Sequence, residues 1–108
     1  MGTVAIEQAT APAEEASLER VLHALSDPVR LRIVAALAEG DALSCGGFDV
    51  PVTKSTCTHH FRVLREAGVI SQRQVGTTRL NELRRADLDS RFPGLLDTIL
   101  RAAAADRA

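Results

Sequence analysis

Between Thr53 and Ile70 the chain reads T-K-S-T-C-T-H-H-F-R-V-L-R-E-A-G-V-I, a stretch that admits little other than one amphipathic helix with marked ends. Cys57, Phe61, Leu64 and Ala67 follow one another at spacings of 4, 3 and 3, which puts them on a single stripe of an α-helix. Thr53 or Ser55 can cap the start, because a hydroxyl there accepts from amides that lack an intrahelical partner. Gly68 suits the left-handed residue that closes many helices, and Val69-Ile70 leave with β-forming character. The other face carries Lys54, Ser55, Thr56, Thr58, His59 and Arg62, with no acid before Glu66. A buried stripe behind a short polar, cationic front is what a helix needs to lie in a DNA major groove.

The flanking segments supply a scaffold for that helix. Residues 1–13 contain small residues and a proline without periodicity and read as a flexible arm, leaving 14–105 as one folded unit. A first helix is expected over 14–25, with Leu18, Val21, Leu22 and Leu25 on its apolar face. A second is expected over 28–39, where Ser26 or Asp27 caps, Pro28 takes the first helical position and Gly40 follows the end. Within it Val29, Ile33, Val34, Ala36 and Leu37 face inward, while Arg30 and Arg32 fall elsewhere. Gly46-Gly47 and Pro51 leave room for no more than a short turn at 45–49. After the organising helix (54–67), residues 69–83 alternate in polarity around Val75-Gly76-Thr77 and read as a hairpin. A polar turn from Arg84 to Arg91 leads to a terminal helix over 93–105. The fold class is mainly α with a small β-hairpin, and this order of elements is that of a winged helix-turn-helix.

Charge points the same way once it is read locally. The 108-residue chain has a net charge of −1, but between Val52 and Arg85 seven cations face two acids, a local excess of five. Residues 1–25 hold four glutamates against Arg20. Phosphate contacts depend on where charge sits rather than on its sum, so the local excess favours nucleic acid. With 45% apolar residues and no signal-peptide or membrane-spanning run, a cytoplasmic protein is expected. No phosphate loop, carboxylate pair or nucleophile–base spacing supports an enzyme, and no cofactor motif is present in the sequence.

The segments L-H-A-L-S-D-P-V-R-L-R-I-V-A-A-L and K-S-T-C-T-H-H-F-R-V-L-R-E-A-G-V-I together resemble the ArsR/SmtB family of bacterial transcriptional repressors, over about residues 18–100. The resemblance implies a recognition helix at about 54–67, a wing at about 70–82, and a homodimer packed through its first and last helices. Leu18, Leu22, Leu95, Leu96, Ile99 and Leu100 would then line the dimer seam. It also implies a repressor that occupies double-stranded operator DNA and leaves it when an inducer binds. The family's metal constellations are missing: Cys45 stands alone where sensors place a C-x-C pair, and no histidine follows His60. A metal at those positions is therefore not expected.

Each candidate residue follows from its chemistry. Ser55, Thr56, His59 and Arg62 share one helix face through spacings of 3 and 4 and can bond bases or backbone; Thr58 and Lys54 flank them. Lys54, Arg73 and Arg79 are assigned to phosphates or the minor groove beside the wing. His60 reads as a packed, hydrogen-bonded histidine. A zinc site from Cys45, Cys57, His59 and His60 is disfavoured, since adjacent helical residues point about 100° apart. Cys45 and Cys57 are candidates for a thiol-based redox response, Cys57 lying on the buried stripe. The inducer would be a small molecule or an oxidant. The competing class is a winged-helix module that binds another protein rather than DNA.

Overall fold

In the computed structural model, residues 16–40 and 54–107 are described, with side chains described over 16–40 and 56–106. The elements are α1 (Leu18–Ala24), α2 (Pro28–Leu37), α3 (Lys54–Glu66), β1 (Ile70–Val75), β2 (Thr78–Leu83), α4 (Arg85–Arg91) and α5 (Leu95–Arg107). The arm at 1–13, the turn at 45–49 and Cys45 lie outside the described residues. Among those described, no helix is long and apolar enough to cross a membrane.

Local chemistry sets the boundaries. Helix α1 begins later than the periodicity suggests, because the Ser17 hydroxyl caps it by accepting from the Arg20 amide at 3.2 Å. Asp27 caps α2: its Oδ2 accepts from the amides of Val29 (2.9 Å) and Arg30 (3.1 Å), with Pro28 in the first turn. At the end of α3 the Val69 amide donates to Leu64 O and the Gly68 amide to Arg65 O, both at 3.0 Å. That pair of bonds is the Schellman closure, and it requires the φ of +81° that Gly68 adopts. A Cβ at Gly68 would also lie 2.9 Å from the Ala16 Cβ. Glycine is thus required there by backbone conformation and by packing.

Val21 and Ala24 of α1 with Leu25 at its end, Ile33, Val34 and Leu37 of α2, and Phe61 and Leu64 of α3 with Ala67 just beyond it form the core with Val69, Ile70, Leu88 and Leu96. The apolar residues of α1 divide: Val21 and Leu25 enter this core, whereas Leu18 and Leu22 are each 44% exposed. The hairpin pairs antiparallel from Ile70↔Leu83 to Val75↔Thr78. Gly76 and Thr77 form its two-residue loop, with a positive φ at Gly76 alone, the pattern of a type II′ turn.

Two expectations fail here. Arg84–Arg91 is not a plain polar turn: Arg85–Arg91 is helical. Its single buried residue is Leu88, and Arg84–Asp87 (2.9 Å) and Arg85–Asp89 (3.7 Å) pair along it. Arg91 fastens the end by donating to Ala16 O at 2.7 Å. Arg30 does not point away from the core either. It is 8% exposed, and its Nε donates to Ala24 O at 2.6 Å, taking up a carbonyl at the C-terminal end of α1.

Candidate nucleic-acid interface

The stripe of Cys57, Phe61, Leu64 and Ala67 is buried, so α3 is fixed with its opposite side outward. Thr56, Thr58, His59 and Arg62 are all exposed on that side. Lys54 and Ser55 belong to the first turn, and their side chains lie outside the described ones.

His60 sets the rotation of the helix from behind. It is buried, and Arg30 Nη1 lies 3.1 Å from its Nδ1. A guanidinium only donates, so Nδ1 carries the lone pair and the proton of the neutral ring belongs on Nε2. Burial lowers the His60 pKa; the nearby Asp27 carboxylate, 3.9 Å away, pulls it up, and Arg30 and His59 push it further down. For Asp27 burial acts upward, but the Arg30 amide, His60, the Val29 amide and the Arg30 charge outweigh it, and its carboxyl titrates below the ordinary range. Asp27, Arg30 and His60 thereby join the start of α2, the end of α1 and the middle of α3. The rings of His59 and His60 are 5.9 Å apart and tilted by 53°, one exposed and one buried. Cys57 is in no disulfide, is 4% exposed and packs among the apolar residues of the core. Among the described residues no group of three or more His, Cys, Asp or Glu stands together as a metal site would require.

The pleat of the hairpin sorts its side chains into two sets. Gln72 pairs with Asn81 and Gln74 with Arg79, so these four share one face. Gln72, Arg79 and Asn81, with Thr58, Phe61, Arg62 and Arg65 of α3, line a cleft of about 210 Å³ between helix and wing. Arg73 lies on the opposite face and pairs with Glu82 through Nε at 3.0 Å. Of the two wing arginines expected at phosphates, only Arg79 is brought to the recognition helix. The other flank of α3 is of mixed charge: Val63, Glu66 and Ala67 line an open depression of about 340 Å³ with Glu19, Arg20 and His23.

The sequence reading missed Arg65, Gln72 and Asn81 as members of this cleft. Arg65 is three residues beyond Arg62 and therefore on its face. Gln72, Asn81 and Arg79 follow from strand alternation once the register is known. Of the five leucines and one isoleucine assigned to a dimer seam, Leu96 is 3% exposed within the single chain and committed to its core. Leu18 and Leu22 are exposed, and Leu95, Ile99 and Leu100 are half-buried.

The arrangement matches known regulators. Residues 25–73 match the family described as Helix-turn-helix domain. Over 83 residues the chain is 37% identical to YceK of Bacillus subtilis (strain 168), described as an uncharacterized HTH-type transcriptional regulator, covering 74% of this chain and 83% of that protein. The crystal structure of the transcriptional repressor BigR from Xylella fastidiosa superposes with a TM-score of 0.57 at 28% identity, covering 69% of this chain and 85% of that one. That of a "possible transcriptional regulator for arsenical resistance" gives 0.61 at 27% identity, covering 83% and 97%. These relatives are regulators, a DNA-binding and non-enzymatic class. With the helix-turn-helix segment matched, the hairpin in the position of a wing and the relationship extending over most of YceK, this chain belongs to the winged-helix transcriptional regulators of the HTH type.

Proposed function

We propose that the protein is a homodimeric repressor of the ArsR/SmtB type, binding an inverted-repeat operator with α3 in the major groove and the hairpin over the flanking backbone. The observation that carries this reading is the exposed side of α3 at Thr56, Thr58, His59 and Arg62, which adjoins an arginine-lined cleft without a carboxylate. Exposed Leu18 and Leu22 on α1, with half-buried Leu95, Ile99 and Leu100 on α5, supply apolar area for a symmetric seam. Two α3 helices would then be set about one DNA turn, roughly 34 Å, apart. BigR is itself a repressor, which agrees with the direction of control. Release is assigned to an inducer other than a metal at the family's usual positions. A thiol response would work through Cys45, because the Cys57 thiol is buried in the core.

The test is fluorescence anisotropy with a duplex from the protein's own upstream region and a scrambled duplex, over a range of salt, with sedimentation to give the mass. Preference for the native duplex is expected. A dimer neutralising about six to ten phosphates should lose roughly 10³–10⁵-fold in affinity between about 50 and 200 mM salt. Cys45→Ser should abolish any loss of binding on mild oxidation. Equal, weak binding to both duplexes would overturn the repressor and favour a protein-binding module.

A further inference from the structure

We propose that the cleft between α3 and the hairpin seats one DNA backbone phosphate, and that Gln72 and Asn81 are positioning residues that hold Arg65 towards it. The inference rests on the DNA-binding reading above and assigns a chemical role to Arg65, Gln72 and Asn81, which are not among the base-contacting candidates.

The polarity of the hydrogen bonds is fixed from one end. Arg65 Nη1 donates to Gln72 Oε1 at 2.7 Å, and an arginine has no acceptor to offer in return. The Gln72 amide must therefore turn its Nε2 the other way, where it donates to Asn81 Oδ1 at 2.7 Å. Asn81 is 1% exposed and anchors the relay in the hairpin base. Both side-chain amide oxygens are thus engaged internally. What the cleft offers outward is chiefly donors, the guanidinium groups of Arg62, Arg65 and Arg79. In the major groove guanine alone presents a pair of acceptors without a donor, and its pair adds the cytosine amino donor beside them, whereas the free oxygens of every backbone phosphate are acceptors and carry a full negative charge. A donor-lined cleft fits the phosphate.

Charge gives the same answer independently. Arg65 is held by a neutral amide, not a carboxylate, so it is oriented without losing its charge. Arg62 and Arg79 have no ion-pair partner among the described residues. No acid lines the cleft. Elsewhere Arg73, Arg84 and Arg85 are each matched to a carboxylate. Three guanidiniums without a carboxylate partner, Arg65 among them oriented by Gln72, line the cleft beside the helix that would enter the groove, where the adjacent DNA strand must pass.

The experiment pairs protein variants with operator duplexes carrying one neutral methylphosphonate linkage at successive positions. At one position per half-site, wild-type protein should lose about tenfold in affinity, the scale of one lost phosphate contact. Arg65→Ala and Arg79→Ala should lose about as much on the natural duplex and almost nothing further at that linkage. Gln72→Met should lose about threefold to fivefold and show the same non-additivity, which a merely structural role would not produce. If Gln72→Met fails to fold, Arg65→Ala still reports on the same phosphate without touching the strand ladder. Tight wild-type binding with losses that simply add at every linkage would overturn the phosphate seat while leaving the DNA-binding reading intact. Failure of the wild type to bind any duplex would overturn both.

Discussion

Around α4, Arg84 and Arg85 stand among Asp87, Asp89 and Asp97, whereas Arg62, Arg65 and Arg79 line a cleft with no carboxylate. Both groups fall in the stretch whose excess of cations first suggested nucleic acid. In the first, charge is used up within and around a seven-residue helix: Arg84 pairs with Asp87 of its first turn at 2.9 Å, and Arg85 ties the helix to Asp97 of α5 at 3.0 Å. In the second it is left for a partner. Arg30 is a third case, a cation withdrawn into the core, where it satisfies backbone carbonyls and His60. A local sum of charge therefore overstates the DNA-binding surface, and the useful count is of arginines that have found no acid.

The sharpest way to separate these uses is to remove one cation from each. Arg30→Met should cost about 2–4 kcal/mol of unfolding free energy in a urea titration, because it leaves the Ala24 carbonyl and His60 Nδ1 unpartnered in the interior. A loss no greater than that of an exposed arginine would place Arg30 in the wrong class. The same cluster gives a pH signature. His60 has a lowered pKa in the folded chain, chiefly from burial, so the unfolded chain takes up a proton first as pH falls below about 6.5. Stability should be constant with respect to this group above that pH and decline below it. Asp27, also lowered, adds a second loss only as pH falls below about 3.8. His60→Gln should remove the first decline in a series of thermal melts and leave the second.

Next in size is the contrast in binding. Arg79→Ala should weaken operator binding by about 1–2 kcal/mol, roughly tenfold, with an unchanged melting temperature. Arg85→Ala should leave operator binding unchanged and lower the melting temperature only slightly: its pairs are about two-fifths exposed or more, and such pairs contribute about 0–1 kcal/mol. Equal losses of DNA affinity in the two variants would dissolve the distinction between committed and free arginines.

How much of this could be read in advance depends on the range over which each signal acts. The Asp27-Pro28 start, the Gly68 stop and the stripe of Cys57, Phe61, Leu64 and Ala67 are local, and all were legible. Arg30 was legible in principle, since it stands three, four and seven residues before Ile33, Val34 and Leu37 on the same stripe. Sorting residues by polarity hid it, because nothing local shows that Ala24 O and His60 wait to receive a guanidinium. Helix α4 was hidden for a related reason. It buries one leucine, and its hold comes from Ala16 and Asp97, remote in sequence. The cleft needed both α3 and the hairpin register, so Arg65, Gln72 and Asn81 could be joined only once the strands were paired.

The smallest expected effect tests the comparison most closely, because it concerns a cation between the two groups. Arg73 is on the wing, yet it faces away from the cleft and pairs with Glu82, with about half of each side chain exposed. An exposed pair of this kind contributes little to stability, so Glu82→Gln should shift the unfolding free energy by less than about 1 kcal/mol. It also unmasks the Arg73 charge and removes an anion close to where DNA would lie. Affinity should therefore rise about twofold to threefold at low salt, equally for native and scrambled duplexes, and the gain should fade as salt screens it. A gain confined to the native duplex would mean that Arg73 makes a positioned contact of its own. The wing would then present DNA with both faces of the hairpin, and Arg73 would join Arg62, Arg65 and Arg79 among the arginines reserved for the partner.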